Sequence, residues 1–439
     1  MDFCIKGLRG LSLVILAGLM AGALVAPSSA FVLKMDGQAV ETASALYEHT
    51  SDRRLVRVAQ IGDRVAGGGR FLEFGTPAIA PNGAIVFGAE VSGERSRRWG
   101  IFVAQPNRDG SGIAEAFDNS AIGGDCRPLL KTDPFVMTDA KGSIFFLAPE
   151  ASGPDALFRY SDGKLSCEMR VGDRTREGHR IASLHFGSAQ TAENGAVVLS
   201  AGVYVDDDDS GRHLARNGII LVEPPGRIRA IALEGRPAPG VGRYSGHFGL
   251  PAVSSSAAGV VVAFADRDAK GGSSLFFGRR GQLARTAYTG LTTAAGPITY
   301  LSDGRPGLSD DGSVAIRIAS GDRSSIAVIR AGEPRVVARE GDVVQDARIE
   351  GLGDPAAMFG GRVYVEETDP QERVHILSCP ATEDVADTAS AVAGGVEVFP
   401  NSLAVNRGGA LAFLANPKQG GAPHSNAPAS QGDQDGTSI

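Results

Sequence analysis

The stretch "EFGTPAIAPNGAIVFGAE" (Glu73–Glu90) recurs in altered form as "HFGLPAVSSSAAGVVVAFAD" (His247–Asp266). In both stretches a proline precedes a short apolar segment, a turn and a longer apolar run. Short apolar runs between glycine-rich turns are typical of β-strands. The return of the same strand pair far along the chain indicates a repeat protein.

The apolar run after a turn glycine occurs seven times. Successive copies are 48 to 64 residues apart, close to the length of one four-stranded propeller blade. A Gly-Asp or related turn and, in six copies, a proline keep the same period. The sequence therefore predicts an all-β fold, a seven-bladed β-propeller over residues 55–415, with six or eight blades as alternatives. The turn glycines are Gly83, Gly142, Gly195, Gly259, Gly312, Gly361 and Gly409.

The two ends of the repeat region predict how the ring closes. The seventh copy stops near Ala415, before its outer strands, while Leu55–Ala59 resembles the fourth strand of a unit. We therefore expect this N-terminal strand to complete the last blade, since closure removes an open sheet edge. Phe31–Lys34 is a candidate third strand, and residues 39–49 are expected to form a short helix. Residues 416–439 have no apolar periodicity and are expected to be a disordered tail.

Residues 1–30 have the pattern of a signal peptide. Lys6 and Arg9 precede an apolar run, and small residues lead up to Ala30, where we expect cleavage. A retained membrane anchor is the alternative. After cleavage we expect no stable membrane insertion, a periplasmic or secreted protein, and residues 31–54 as an N-terminal segment before the propeller.

The composition limits the classes of partner. A formal net charge of −7 without basic clusters gives no reason to expect nucleic acid. Three cysteines follow the leader, so at least one thiol stays unpaired in the monomer that we expect. Cys126 and Cys167 are closest in sequence, and export would permit a disulfide between them.

The units resemble an uncharacterised bacterial repeat family that is exported and often directed to the cell surface. Its units follow V-A-x-x-G-D-x-x-P-G…F-x-x-P-x-I-N-x-x-G-x-V-A-F-x-A. The best matches are "VAQIGDRVAGGGRFLEFGTPAIAPNGAIVFGAE" (Val58–Glu90) and "ALEGRPAPGVGRYSGHFGLPAVSSSAAGVVVAFAD" (Ala232–Asp266). The resemblance implies a propeller-like fold and export, and it implies no particular reaction.

One polar position recurs in front of a Phe-Gly pair. Glu73, His185 and His247 occupy this position in three units. Because equivalent positions lie at equivalent places around a ring, these side chains are candidates for a shared ligand or metal site in the channel. In the alternative interpretation, the polar residue ends a strand and the phenylalanine packs between blades.

Two further groups of charged residues are candidate binding elements. Arg64, Arg174 and Arg236 follow Gly-Asp-type turns and could form a basic rim on one face, or be ordinary surface charges. The run Asp206, Asp207, Asp208 and Asp209 carries the oxygen ligands that calcium requires, although we favour a solvated loop.

No motif assigns a reaction. The sequence has no paired-histidine zinc spacing, no nucleophile elbow and no phosphate-binding loop with G-K-[ST], so we name no catalytic residue. We expect no cofactor, calcium being the one candidate ion. The leading interpretation is a binding module for an unknown protein or glycan. A propeller-type enzyme, such as a metal-assisted hydrolase or lyase, and a structural envelope protein are the alternatives.

Overall fold

The structure is a computed structural model. It describes residues 45–417 except 51–53, 94–95, 106–111, 118–126, 152, 207–212, 257–258, 280–281, 310, 345–346, 371–373, 381–389, 393–395, 400–401 and 407–408. The described residues lie within one compact unit, Glu41–Ile439. Their regular structure consists of 38 β-strands, without a helix in the described ranges.

Two N-terminal strands come first, β1 (Ala45–His49) and β2 (Leu55–Gln60). The strands of blade 1 are β3 (Phe71–Phe74), β4 (Ala78–Ile79), β5 (Ile85–Ser92), β6 (Arg97–Ala104) and β7 (Ile113–Phe117). Those of blade 2 are β8 (Val136–Thr138), β9 (Ile144–Pro149), β10 (Asp155–Ser161) and β11 (Lys164–Arg170). Those of blade 3 are β12 (Arg180–Leu184), β13 (Gln190–Thr191), β14 (Val197–Asp206), β15 (His213–Glu223) and β16 (Arg227–Leu233).

Blade 4 follows the hairpin β17 (Pro237–Ala238) and β18 (Gly242–Arg243), and contains β19 (Ala252–Ser256), β20 (Gly259–Arg267), β21 (Ser273–Arg279) and β22 (Gln282–Tyr288). Blade 5 follows the hairpin β23 (Thr292–Thr293) and β24 (Gly296–Pro297), and contains β25 (Tyr300–Leu301), β26 (Gly307–Leu308), β27 (Val314–Ser320), β28 (Arg323–Arg330) and β29 (Glu333–Arg339). Blade 6 follows the hairpin β30 (Val343–Val344) and β31 (Ala347–Arg348), and contains β32 (Gly351–Phe359), β33 (Arg362–Thr368), β34 (Val374–Pro380) and β35 (Ser390–Val392). The last strands are β36 (Val396–Val398), β37 (Ala404–Val405) and β38 (Leu411–Pro417).

These strands form the predicted seven-bladed β-propeller, each blade an antiparallel sheet with its strands mostly in sequence order. In blades 1, 3, 5 and 7 the innermost strand is interrupted. Its two short segments both pair with the same second strand, as β12 and β13 do with β14.

The ring closes through the N-terminus, as predicted, but with two strands. In blade 7, β38 pairs with β1, and β1 pairs with β2 at the outer edge. The third strand is therefore Ala45–His49, while Phe31–Lys34 lies outside the described residues. The helix expected over residues 39–49 is wrong for Ala45–His49, because pairing with both neighbouring strands overrides a weak local helix preference.

Packing between blades 7 and 1 seals this closure. Leu46 of β1 is fully buried in the same cluster as Phe71 and Phe87 of blade 1. The Phe71 ring meets the Phe102 ring edge-on at 5.1 Å between centroids. Burying each such side chain stabilises the fold by about 1.5–3 kcal/mol, so the closing blade is anchored mainly by apolar contacts.

Tight turns set the register of the inner strands. Gly83 adopts φ of 84°, which favours glycine, and the Asn82 side chain accepts a 3.0 Å hydrogen bond from the Ala84 amide. The side-chain amide of Asn406 in blade 7 donates, through Nδ2, to the Ala80 carbonyl of blade 1 at 3.2 Å. The turns thus also link the last blade to the first.

Candidate ligand site at the central channel

The propeller has two distinct ends. In blade 3, Arg180 at the start of β12 pairs with Tyr204 near the end of β14. The carboxyl end of β14 therefore lies at the same end of the propeller as the Gly172-Asp173 turn, and we call this end the Gly-Asp face. The Asn194-Gly195 turn joins β13 to β14 at the opposite end, the Asn-Gly face.

The Gly-Asp pairs build turns, with the aspartate bonding to nearby backbone. The Asp63 carboxylate accepts a 2.8 Å hydrogen bond from the Gln60 amide, and Asp173 accepts one of the same length from Arg170. Asp342 repeats the arrangement with the Arg339 amide at 2.9 Å. These carboxylates satisfy the end of each outer strand.

The three arginines expected to form a rim lie in the loops between blades. The backbone of Arg64 forms an isolated antiparallel β-bridge with that of Arg70, and the backbone of Arg174 forms one with that of Arg180. Arg174 donates to the Gly178 carbonyl at 2.8 Å. Arg236 lines a cleft of about 540 Å³ between blades 3 and 4. Arg236 therefore lies in a sizeable concave surface.

A second set of arginines, which sequence reasoning missed, stabilises the same loops. Arg70 donates to the carbonyl of Gly62, and Arg243 donates to that of Gly235, each at 2.5 Å. Each arginine comes eight residues after the turn glycine, so the repeat carried a signal for this role.

The candidates Glu73, His185 and His247 share a register but have different surroundings. Glu73 is exposed on β3. His185 follows β12, and burial lowers the pKa of its imidazole. His247 lies 3.4 Å, through Nδ1, from the Ser245 hydroxyl, which donates to Asp266 at 2.6 Å. Within the described residues, no hydrogen bond or ion pair joins Glu73, His185 and His247.

The neighbouring phenylalanines behave differently from one another. Phe74 is 7% exposed and packs on Phe71 and Phe87, and Phe248 packs on Tyr244 and Phe264. Phe186 instead is 47% exposed. It lies in the turn between the two segments of the innermost strand of blade 3. An aromatic ring is therefore presented to solvent where its equivalents fill the core.

Asp133 supplies an acid at the boundary of blades 1 and 2. Its carboxylate lies against the backbone of Gly75, where an added Cβ would come within 1.7 Å of Oδ1. Burial, followed by repulsion from the Glu73 carboxylate, raises the pKa of Asp133 to about 7, although the Thr76 amide donates to it. Asp133 is nevertheless an exposed residue.

Blade 6 contains a counterpart that explains this pKa. Asp354, which also precedes a proline, lies against Gly304 in the same manner, and Arg317 pairs with it at 3.1 Å. Arg317 comes thirteen residues after Gly304, as Gly88 comes thirteen residues after Gly75. Gly88 therefore stands where blade 5 has Arg317. Asp133 lacks the cation that its counterpart has.

The central channel also contains a cavity of about 150 Å³ toward the Asn-Gly face. All seven blades contribute a residue of their innermost strand to its wall. These residues are Ile79, Thr138, Thr191, Ser254, Leu308, Ala357 and Val405. Since all innermost strands run from the Gly-Asp face to the Asn-Gly face, residues just before these lie on the Gly-Asp side of the cavity.

Several candidates lie outside the described residues. Asp207, Asp208, Asp209 and Cys126 are among them, and of Asp206 only the strand position is described. The calcium site and the Cys126–Cys167 disulfide therefore stay predictions. Within the described ranges, no group of three or more His, Cys, Asp or Glu side chains could hold a metal ion. No helix in those ranges is long and apolar enough to cross a membrane.

The fold and the channel define a β-propeller whose charged and aromatic groups collect at the Gly-Asp end of the innermost strands. The chain belongs to a family of unknown function, DUF7453, whose profile matches residues 119–359. This agrees with the expected membership of an uncharacterised propeller family. No significant match to a curated protein is found.

Three solved structures illustrate the similarity of fold. The Pyrococcus horikoshii acylaminoacyl peptidase is 10% identical, with 76% of this chain and 48% of that chain covered and a TM-score of 0.42. The polysaccharide lyase Uly1 is 13% identical, with 71% and 78% covered and a TM-score of 0.39. The six-bladed Aleuria aurantia lectin is 12% identical, with 74% and 97% covered and a TM-score of 0.31. The chain spans about half the length of the peptidase, and at these values the similarity carries no argument about activity.

Proposed function

We propose that this protein is an exported carbohydrate-binding propeller whose site lies at the Gly-Asp end of the central channel. The observation that carries the proposal is the exposure of Phe186, whose equivalents Phe74 and Phe248 pack into the core. The apolar face of a sugar ring stacks on an exposed aromatic side chain, and its hydroxyl groups need polar partners nearby.

Acidic side chains in the adjacent blades supply those partners. Glu73 in blade 1 and Asp133 in blade 2 lie on or just before the innermost strands, at the same end of the channel as Phe186 in blade 3. Carboxylate oxygens accept hydrogen bonds from sugar hydroxyls, and such charge-assisted bonds are about twice as strong as neutral ones. An aromatic ring and two carboxylates from three successive blades thus suit a glycan.

A glycan array followed by isothermal titration calorimetry tests this function. Phe186→Ala should weaken binding of the selected glycan by about 10-fold or more, because it removes a central aromatic contact. Leu214→Ala is the matched control, since Leu214 is 46% exposed in the same blade but on its third strand. Equal binding by both variants, or no glycan bound by the natural protein, would contradict the proposal. The latter result would favour the structural role.

Export is part of the proposal and rests on the leader pattern of residues 1–30. N-terminal sequencing of the mature protein should begin at Phe31, and fractionation should recover it from the periplasm or the medium. Recovery from the membrane with Met1 retained would instead identify an anchored protein.

The second candidate is an acid–base enzyme acting on the same ligand, and Asp133 favours it. An acid whose pKa is raised to about 7 next to a second carboxylate can donate a proton near neutral pH. Such an activity should decrease as pH rises through about 7, and Asp133→Asn should lower its rate by about 10²–10⁴-fold. A glycan that binds but is returned unchanged by mass spectrometry would rule this candidate out for that ligand.

A further inference from the structure

Arg305 reaches from one blade to two others. It lies between the two segments of the innermost strand of blade 5, β25 and β26. Its Nη2 donates to the carbonyls of Gly187 at 3.2 Å and Ala189 at 2.9 Å, in blade 3. The guanidinium carbon lies 5.9 Å from the centre of the Phe135 ring in blade 2. Gly187 directly follows Phe186, so Arg305 is connected to the proposed carbohydrate site.

The position of Arg305 within the channel follows from its neighbours in sequence. Gly307 lines the channel cavity, and so does Gln190, the residue after Ala189. Arg305 and its two carbonyl partners therefore lie on the Gly-Asp side of that cavity. The side chain crosses the channel at the inner limit of the proposed site.

The charge of Arg305 has no counter-ion in the described part of the chain, where its side chain forms neither an ion pair nor a hydrogen bond to a carboxylate. Its Nε is buried without a hydrogen-bond partner. Burial lowers the pKa of the guanidinium to about 10, so it stays positive at neutral pH. The residue as a whole keeps partial exposure.

Other arginines of the same region show that this arrangement is unusual. Arg317 pairs with Asp354 at 3.1 Å, and Arg267 pairs with Asp303 at 3.3 Å. Arg267 also lies over an aromatic ring, Tyr300, at 5.3 Å. A buried cation normally requires an anionic partner, because desolvation without one is costly. Among the described residues, two backbone carbonyls and the Phe135 ring hold Arg305, and no carboxylate does.

We propose that Arg305 binds the carboxylate group of an acidic sugar, so that the ligand is a uronic acid or a uronate-containing glycan. This inference rests on the proposed carbohydrate site and specifies its substrate class. Nη2 already donates to two carbonyls and Nε is buried, so the carboxylate would accept a charge-assisted hydrogen bond from Nη1. A carboxylate carries a single charge, whereas a phosphate ester carries up to two and would be repelled more strongly by Glu73 and Asp133.

Calorimetry with paired ligands tests the proposal. The natural protein should bind oligogalacturonate or oligoglucuronate about 100-fold more tightly than the corresponding neutral oligosaccharide. Esterifying the uronate carboxyl with methanol should abolish this preference without any change to the protein. Arg305→Met should lower uronate affinity to that of the neutral sugar. Arg267→Met is the matched control, because it removes a ring-stacked arginine that already has a carboxylate partner.

The outcomes separate the two proposals. Neutral and acidic oligosaccharides bound equally would overturn the uronate assignment and leave the carbohydrate site standing. No binding of either would overturn both. A preference for sulfated or phosphorylated glycans over uronates would also overturn the assignment. Should Arg305→Met fail to fold, the methyl-ester comparison on the natural protein still decides the question.

Discussion

Replacing Asp133 by asparagine should stabilise the protein at neutral and alkaline pH. The substitution keeps an oxygen that can accept from the Thr76 amide but removes the charge that burial and Glu73 disfavour. In the folded protein the pKa of Asp133 is raised to about 7, whereas in the unfolded chain it is near its usual 3.8. The folded state therefore binds the proton more tightly.

The sign and size of the effect follow from this difference. Between about pH 4 and pH 7 only the folded state holds the proton, so the free energy of unfolding of the natural protein decreases as pH rises. A difference of about three pKa units corresponds to about 4 kcal/mol. Because Asp133 keeps contact with solvent, screening reduces this to roughly 2 kcal/mol. The contribution is fully present below about pH 4 and is lost above about pH 7.

Guanidinium denaturation across about pH 4 to pH 8 measures this contribution. Asp133→Asn should match the natural protein near pH 4 and exceed it by roughly 2 kcal/mol at pH 8. Asp354→Asn is the matched control, since it occupies the equivalent position in blade 6. It should instead destabilise by about 1 kcal/mol at neutral pH, because it leaves Arg317 without its partner. A difference between natural protein and Asp133→Asn that stays constant with pH would refute this account of Asp133.

Three further predictions concern closure, thiol chemistry and ions. Leu46→Ala in β1 should lower the free energy of unfolding by about 2–5 kcal/mol in denaturant, because Leu46 is fully buried between blades 7 and 1. The control Val56→Ala, at a 42% exposed position, should change the free energy of unfolding by less than about 0.5 kcal/mol. Cys379 should resist iodoacetamide in the native protein and react on unfolding, because burial raises the pKa of its thiol to about 12. Mass spectrometry can follow the labelling, and rapid labelling of the native protein would contradict this prediction. EDTA should leave the melting temperature unchanged, because we expect Asp206–Asp209 to be a solvated loop; a decrease that calcium reverses would establish an ion site.

The fold was predictable from the sequence because its determinants are local and repeated. Turn glycines with their Asn or Asp partners, and apolar runs of constant length, identify the blade, and the incomplete seventh copy predicts closure by the N-terminus. Residues 45–49 were misassigned because a strand that pairs on both sides needs no strong local signal. Its neighbours, β2 and β38, come from opposite ends of the described chain.

The site was less predictable because it depends on contacts between blades. The repeat showed that Glu73, His185 and His247 are equivalent in register, but not that Phe186 alone among the three neighbouring phenylalanines would be exposed. Arg305 bonds to residues more than a hundred positions away, in blade 3. No spacing rule in the sequence reports such a contact, because it exists only once the ring has closed.

The departures from the repeat bear on whether the channel has a function. Blade packing alone would favour the same residue type at equivalent positions, as it does for the aspartates that close the Gly-Asp turns. Three positions on or beside the innermost strands depart from this pattern. Asp133 lacks an arginine like the one that pairs with Asp354, and Phe186 is exposed where its equivalents are packed. Arg305 has no carboxylate partner among the described residues. All three lie toward the Gly-Asp face. A ligand with an apolar ring face, hydroxyl groups and a carboxylate would satisfy all three together.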